Sequence, residues 1–88
     1  MEIQLKLYGS SKLLSDSATL LIQLPENSNV AKLRNKLTKI ISEKHSKSNL
    51  AGLSKTAAFF SEDDEVINDN YKLRNKELIS IIPPIGGG

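Results

Sequence analysis

Apolar and polar positions alternate from the first residue. In MEIQLKLYG, Met1, Ile3, Leu5 and Leu7 fall on one face, and Glu2, Gln4 and Lys6 on the other. A period of two predicts a half-buried strand. Gly9-Ser10-Ser11 breaks it, and the KLLSD that follows supports no more than a turn of helix. ATLLIQLP predicts a second strand, with Leu20, Ile22 and Leu24 inward and Thr19, Leu21 and Gln23 outward. Pro25 ends it, and the two strands lie close enough in sequence to pair as a hairpin with a longer loop.

The period then changes. Val30, Leu33, Leu37, Ile40 and Ile41 recur at helical spacing and form one stripe. Ser28 or Asn29 is the expected N-cap, since a short side-chain oxygen can accept from a free first-turn amide. Lys32, Arg34, Lys36 and Lys39 are expected on the outer face, and Lys44 suits the negative end of the helix dipole. HSKSNLAGLS reads as loop, with Leu50 and Leu53 dipping into the core. KTAAFF predicts a third strand, SEDDE an acidic turn and VIN a short fourth strand. DNYKLRNK carries turn signals around one buried anchor, Leu73. ELISII is the last strand, and Leu78, Ile79, Ile81 and Ile82 leave it almost no polar alternation. A strand apolar on both faces is central in a sheet or partly covered by another molecule.

Two strands, a crossing helix and three further strands fit an α+β roll with the helix on one face. The simplest such fold is the β-grasp, a mixed sheet of four to five strands whose first and last strands run parallel at the centre. Residues 1–82 are expected to form this single domain. Residues 83–88 are expected to form an extended tail leaving from the end of a central strand.

Composition narrows the chemistry. The chain has 88 residues, 39% hydrophobic and 25% charged, which suits one small globular domain. There is no cysteine, so disulfides, cysteine-held zinc and a thiol nucleophile are excluded. The single histidine, His45, has nothing beside it in sequence to orient it for proton transfer. The net charge is +2, and six of the twelve basic residues lie between Lys32 and Lys47. No aromatic residue sits among them to stack a base, so a solvated lysine face is expected rather than a nucleic-acid partner. The longest apolar run is four residues, far short of a membrane span. The N-terminal stretch does not resemble a signal peptide, and a cytoplasmic protein is expected. Glu62 to Glu65 cluster four acids without the ligand rhythm of a calcium loop, so a solvated turn is expected and no metal.

The closing IIPPIGGG is the unusual feature. Pro83 and Pro84 cannot donate hydrogen bonds and hold φ at about −65°, so they end the strand and keep the chain extended. Ile85 to Gly88 then reach roughly 13 Å further. Glycines without side chains fit a channel that admits only backbone. The carboxylate at the tip, with no bulky neighbour, is a handle that an enzyme could activate with ATP and convert to an ester, amide or thiocarboxylate. A thiocarboxylate would carry nucleophilic sulfur without any cysteine.

With these residues the chain resembles the ubiquitin-like sulfur carriers, and the closing LISIIPPIGGG is similar to the small subunit of molybdopterin synthase. Pro83-Pro84 match that family's two prolines, Ile85 and Gly86 its two variable positions, and Gly87-Gly88 its diglycine. IQLKLYG is similar to the family's first strand, and Lys12 sits near where many members carry an arginine. LPENSNVAKLRNKL is similar to its helix start, with Asn29 in place of a threonine. Leu73 falls where the family has a leucine before an Asp-Gly-Asp turn. The chain departs from the pattern there, since RNKEL lacks the glycine and one acid, and the turn after the third strand is longer.

The resemblance implies a defined role. A ubiquitin-activating-like adenylyltransferase would use ATP to adenylylate Gly88, and a sulfur donor would convert it to a thiocarboxylate. The tail would enter the large subunit of the synthase, which forms a heterotetramer with two small subunits. The sulfur would build the dithiolene of the molybdenum cofactor. The catalytic side chains would belong to the partner, and this chain would bind no cofactor of its own. The expected contacts around the tail are Ile82 and Ile85, then Val66, with either Phe59 or Phe60 exposed on the same surface. Alternative readings are a sulfur carrier for thiamine synthesis or tRNA thiolation, and a ubiquitin-like protein modifier.

Overall fold

A computed structural model describes residues 1–44 and 52–84. Strands β1 (Glu2–Leu7) and β2 (Thr19–Gln23) pair antiparallel, with Ile3 opposite Ile22 and Leu5 opposite Leu20. Helix α1 (Val30–Lys44) crosses the sheet, and a short helix α2 (Leu53–Thr56) leads into β3 (Ala58–Phe60). Strand β4 (Val66–Ile67) and strand β5 (Glu77–Ile82) complete a sheet of order β2-β1-β5-β3-β4. Strand β5 is central, parallel to β1 and antiparallel to β3.

The alternation read in sequence becomes the two faces of this sheet. Ile3, Leu5, Leu7, Ile22, Phe59, Ile67, Ile79 and Ile81 are buried against Val30, Leu33, Leu37 and Ile41 of α1. Ile40 flanks this core half-buried, and Leu24, Leu53 and Leu73 are buried within it. Asn29 is the helix cap, because its Oδ1 accepts from the Lys32 N–H at 3.0 Å. Ser28 has another task, donating its hydroxyl to the Pro25 carbonyl at 2.6 Å. Leu50 and His45 lie outside the described residues.

Three expectations change. Gly9 to Ser11 do not simply break the chain but begin a six-residue 3-10 helix, Gly9–Leu14. Ser11 is fully buried; its hydroxyl donates to the Tyr8 carbonyl and accepts the Tyr8 N–H at 2.9 Å. Lys55 and Thr56 are not strand. Their amides and that of Ala57 turn back to Gly52 and Leu53, so β3 starts only at Ala58. Tertiary bonds override strand propensity there, as the Ser54 hydroxyl bonds to Thr38 at 2.6 Å.

Arg34 is the third change. It does not point to solvent with the lysines. Its Nε meets Asp69 Oδ1 at 2.7 Å, and Nη1 donates to the carbonyls of Ser54 at 2.9 Å and Ala57 at 2.8 Å. Its guanidinium lies 4.7 Å from the centre of the Phe59 ring. One side chain therefore ties α1, α2, the start of β3 and the loop before β5 together.

The turn into β5 holds a strained residue. Lys76 has φ 65°, in the left-handed region that glycine enters freely and a β-carbon resists. Its N–H bonds to the Glu2 carbonyl at 2.6 Å, which sets β5 alongside β1. Lys76→Gly is expected to raise the free energy of unfolding by about 1 kcal/mol in urea titration.

Candidate functional site

The site is built around the end of β5. Ile81 is fully buried and pairs with Leu7 on one side and Phe59 on the other. Ile82 is opposite Ala58 and turned to the face away from α1. Pro83 follows, half-buried, and Pro84 is exposed. A central strand paired on both edges thus holds the base of the tail, and Pro83, lacking an N–H, ends the ladder. Ile85, Gly86, Gly87 and Gly88 lie outside the described residues.

The sheet face away from α1 supplies the surroundings. Phe59 is the core phenylalanine and Phe60 the outward one. Phe60 stands between Ser80 of β5 and Val66 of β4. Val66 is 68% exposed and Ile82 37%. The structure therefore brings Ile82, Phe60 and Val66, expected separately from sequence, onto the one sheet face that carries the last residue before Pro83. Lys6 pairs with Ser80, so Tyr8, two residues on, stands on the same face next to Ile82. Its ring lies 5.5 Å below the Lys6 ammonium. Leu13 of the 3-10 helix is 65% exposed.

Tyr8 and Leu13 were not among the candidates read from sequence. Tyr8 had a signal, because its parity with Gln4 and Lys6 places a large ring on the polar face of β1. Leu13 had none, since KLLSD does not reveal which leucine turns inward. Leu14 is the buried one.

The acidic turn has a structural role. The Asp64 N–H closes it onto the Ser61 carbonyl at 3.0 Å, and Asp64 adopts a left-handed φ of 60°. Glu62 Oε1 accepts the Leu78 N–H at 3.0 Å. That amide faces the side of β5 where β3 has already ended, so Glu62 completes the ladder with a side chain. Among the described residues no three acidic or histidine side chains gather as metal ligands.

A cleft of about 400 Å³ lies between this turn and the segment before β5. Glu77 stands at its base, buried, and accepts the Arg74 N–H at 2.9 Å and the Tyr71 hydroxyl at 2.5 Å. The bond to Glu77 and partial burial push the Tyr71 phenol above its ordinary range. A raised phenol pKa contributes stability that is complete below the unfolded value and lost as pH rises through the folded one. Stability should fall above about pH 10, and Tyr71→Phe should remove that part of the fall. Tyr71→Phe should also cost about 1–2 kcal/mol at neutral pH. Urea midpoints of both proteins across the alkaline range check both points.

No family model and no curated protein sequence matches the chain. Solved structures do. The small archaeal modifier protein SAMP1 from Haloferax volcanii superposes with a TM-score of 0.70 and 14% identity, covering 100% of both chains. A protein assigned as molybdopterin converting factor, subunit 1, from Pyrococcus furiosus gives 0.69 and 13%, over 96% of this chain and 98% of that one. The fold is the ubiquitin-like β-grasp. A chain from the complex of subunits 1 and 2 of the molybdopterin-converting factor of Helicobacter pylori gives 0.60 and 25% identity, again over 100% of both. These neighbours are consistent with a molybdopterin synthase small subunit, the family that the closing residues resemble. Among the described residues no helix is long and apolar enough to cross a membrane.

Proposed function

We propose that this chain is the sulfur carrier of a molybdopterin synthase, its cargo held as a thiocarboxylate on Gly88. The observation that carries the reading is that Pro-Pro-Ile-Gly-Gly-Gly follows in sequence directly on the central strand, whose open face carries the exposed Tyr8, Ile82 and Val66 and half-buried Phe60. A Gly88 carboxylate oxygen attacks the α-phosphorus of ATP on an activating enzyme, and pyrophosphate leaves. Hydrosulfide supplied by a sulfur donor then attacks the acyl carbon, AMP leaves, and a thiocarboxylate remains. The thiocarboxylate sulfur then bonds to a carbon of a pyranopterin precursor held by the large subunit, water cleaves the acyl–sulfur bond to return Gly88 as a carboxylate, and the large subunit supplies the acid and base groups. The likeness to a chain from a complex of two subunits supports such a partner.

Docking would use the open face, since interface centres are apolar and well packed. Val66→Asp should weaken capture of the large subunit at least tenfold, about 1.4 kcal/mol. Its thermal midpoint should stay near that of the parent, because the Val66 side chain is exposed. Co-purification tests the pathway. The reading expects the chain to retain a molybdopterin synthase large subunit. Retention of a thiazole synthase or tRNA thiolase in its place would contradict it. A second reading rests on the likeness to the small archaeal modifier: the same activated carboxylate would then join an amine of another protein.

A further inference from the structure

Strand β2 lies at one edge of the sheet, paired to β1 alone. The bonds to β1 fix which of its backbone groups face outward. Met1 and Leu24 each donate to the other's carbonyl, at 2.7 and 2.9 Å, and the Leu7 N–H meets the Ala18 carbonyl at 2.9 Å. Bonded and non-bonded positions alternate along an antiparallel pair. Leu20 and Ile22 therefore bond inward, while Thr19, Leu21 and Gln23 direct their N–H and C=O groups away from β1. Among the described residues the Ser17 hydroxyl alone reaches these outward groups, donating to the Thr19 carbonyl at 2.6 Å. A carbonyl keeps a second lone pair for another donor.

Edge strands are normally guarded by charge, proline, a bulge or brevity. Strand β4, at the other edge, has two residues and follows Glu65 of the acidic turn. Strand β2 has five, and the nearest charges along the chain, Asp16 and Glu26, lie beyond its two ends. Leu21 is 57% exposed on the open face, and Leu20 is half-buried on the helix face.

We propose that β2 is the seam of a homodimer, in which a second copy of this chain lays its own β2 antiparallel against the first, centred on Leu21. A second copy is the fitting occupant because β2 is complementary to itself. With Leu21 opposite Leu21, Thr19 falls opposite Gln23, and every member of these pairs has its bonding groups outward, for about six new backbone bonds. The two Leu21 side chains meet on the open face, and Leu20 meets Ile22 on the helix face, so apolar meets apolar on both. Charge agrees. Glu2 flanks Gln23 and Lys6 flanks Thr19 within each sheet. Each row across the seam then ends in a carboxylate on one copy and an ammonium on the other. Strand β1 separates the seam from β5, and nothing in the pairing depends on the chemistry of Gly88. So small a seam should dissociate at about 10–100 μM.

Sedimentation velocity of the full chain from about 1 μM to about 1 mM should show monomer giving way to dimer. Leu21→Lys and Leu21→Glu should each raise the dissociation constant at least tenfold, because like charges then face each other at the axis. An equal mixture of the two variants should recover the dimer, which a general loss of stability would not allow. In hydrogen exchange followed by NMR, the outward amides of Thr19, Leu21 and Gln23 should slow as the parent is concentrated. A parent that stays monomeric at about 1 mM, or a dimer that both variants leave intact, would overturn the proposal. A monomeric parent whose Leu21→Lys variant loses the large subunit would assign the edge to that partner instead and equally overturn it. Should the variants fail to fold, the three parent amides decide alone, and exchange that ignores concentration removes the seam.

Discussion

One alanine added after Gly88 is expected to abolish sulfur loading and transfer while leaving the thermal midpoint unchanged. The extra residue moves the carboxylate by about 3.4 Å, which is as large as the whole separation between groups poised to react. It also puts a β-carbon at the reacting end, where Gly88 has none. The expected loss is at least 100-fold in either step. Stability should not follow, because the core lies within residues 3–81 and ends seven residues before Gly88 in sequence. Intact mass after the loading reaction and a thermal melt of the same sample check the two halves. An extended chain that still loads would show that the tip needs no fixed length.

Arg34→Ala carries the largest expected effect on folding, about 2–4 kcal/mol in urea titration. The guanidinium accounts for a bond to Asp69, donors to the Ser54 and Ala57 carbonyls, and a cation over the Phe59 ring. Asp69 is 58% exposed at its side chain, so solvent screens the ion pair and that bond adds little. The larger cost comes from part-buried carbonyls left without donors and from the lost packing on Phe59. Arg34→Lys should recover less than half of the loss, since an ammonium cannot serve two carbonyls, a carboxylate and a ring together. A loss below about 0.5 kcal/mol would place Arg34 with ordinary surface substitutions and contradict this account.

The frame was readable where periodicity is strong. Alternation in β1 and β2 and the stripe from Val30 to Ile41 predicted both faces of the sheet and the helix that covers one. The doubly apolar ELISII predicted the central strand, with Leu78 and Ile82 turned to the open face. Local signals failed where distant partners decide. Nothing within KTAAFF shows that Arg34, some twenty residues away, will bind the Ser54 carbonyl and hold the chain in a turn. Nothing in SEDDE shows that Glu62 will pair with the Leu78 amide. Lys76 is a third case, because RNKEL lacks the glycine its left-handed backbone would favour. At the site, Ile82 and Val66 were named from the resemblance and the choice between Phe59 and Phe60 was left open; strand pairing puts Phe60 with them on one face, and Tyr8 was overlooked although its parity with Lys6 placed it on that face.

The central claim is that Gly88 accepts sulfur, and intact mass tests it most directly. The chain is incubated with ATP, a ubiquitin-activating-like adenylyltransferase and a sulfur donor. The account predicts a gain of about 16 Da, one oxygen exchanged for one sulfur, confined to the C-terminal fragment that ends in Gly88. An unchanged mass, or a gain on any other fragment, would contradict it.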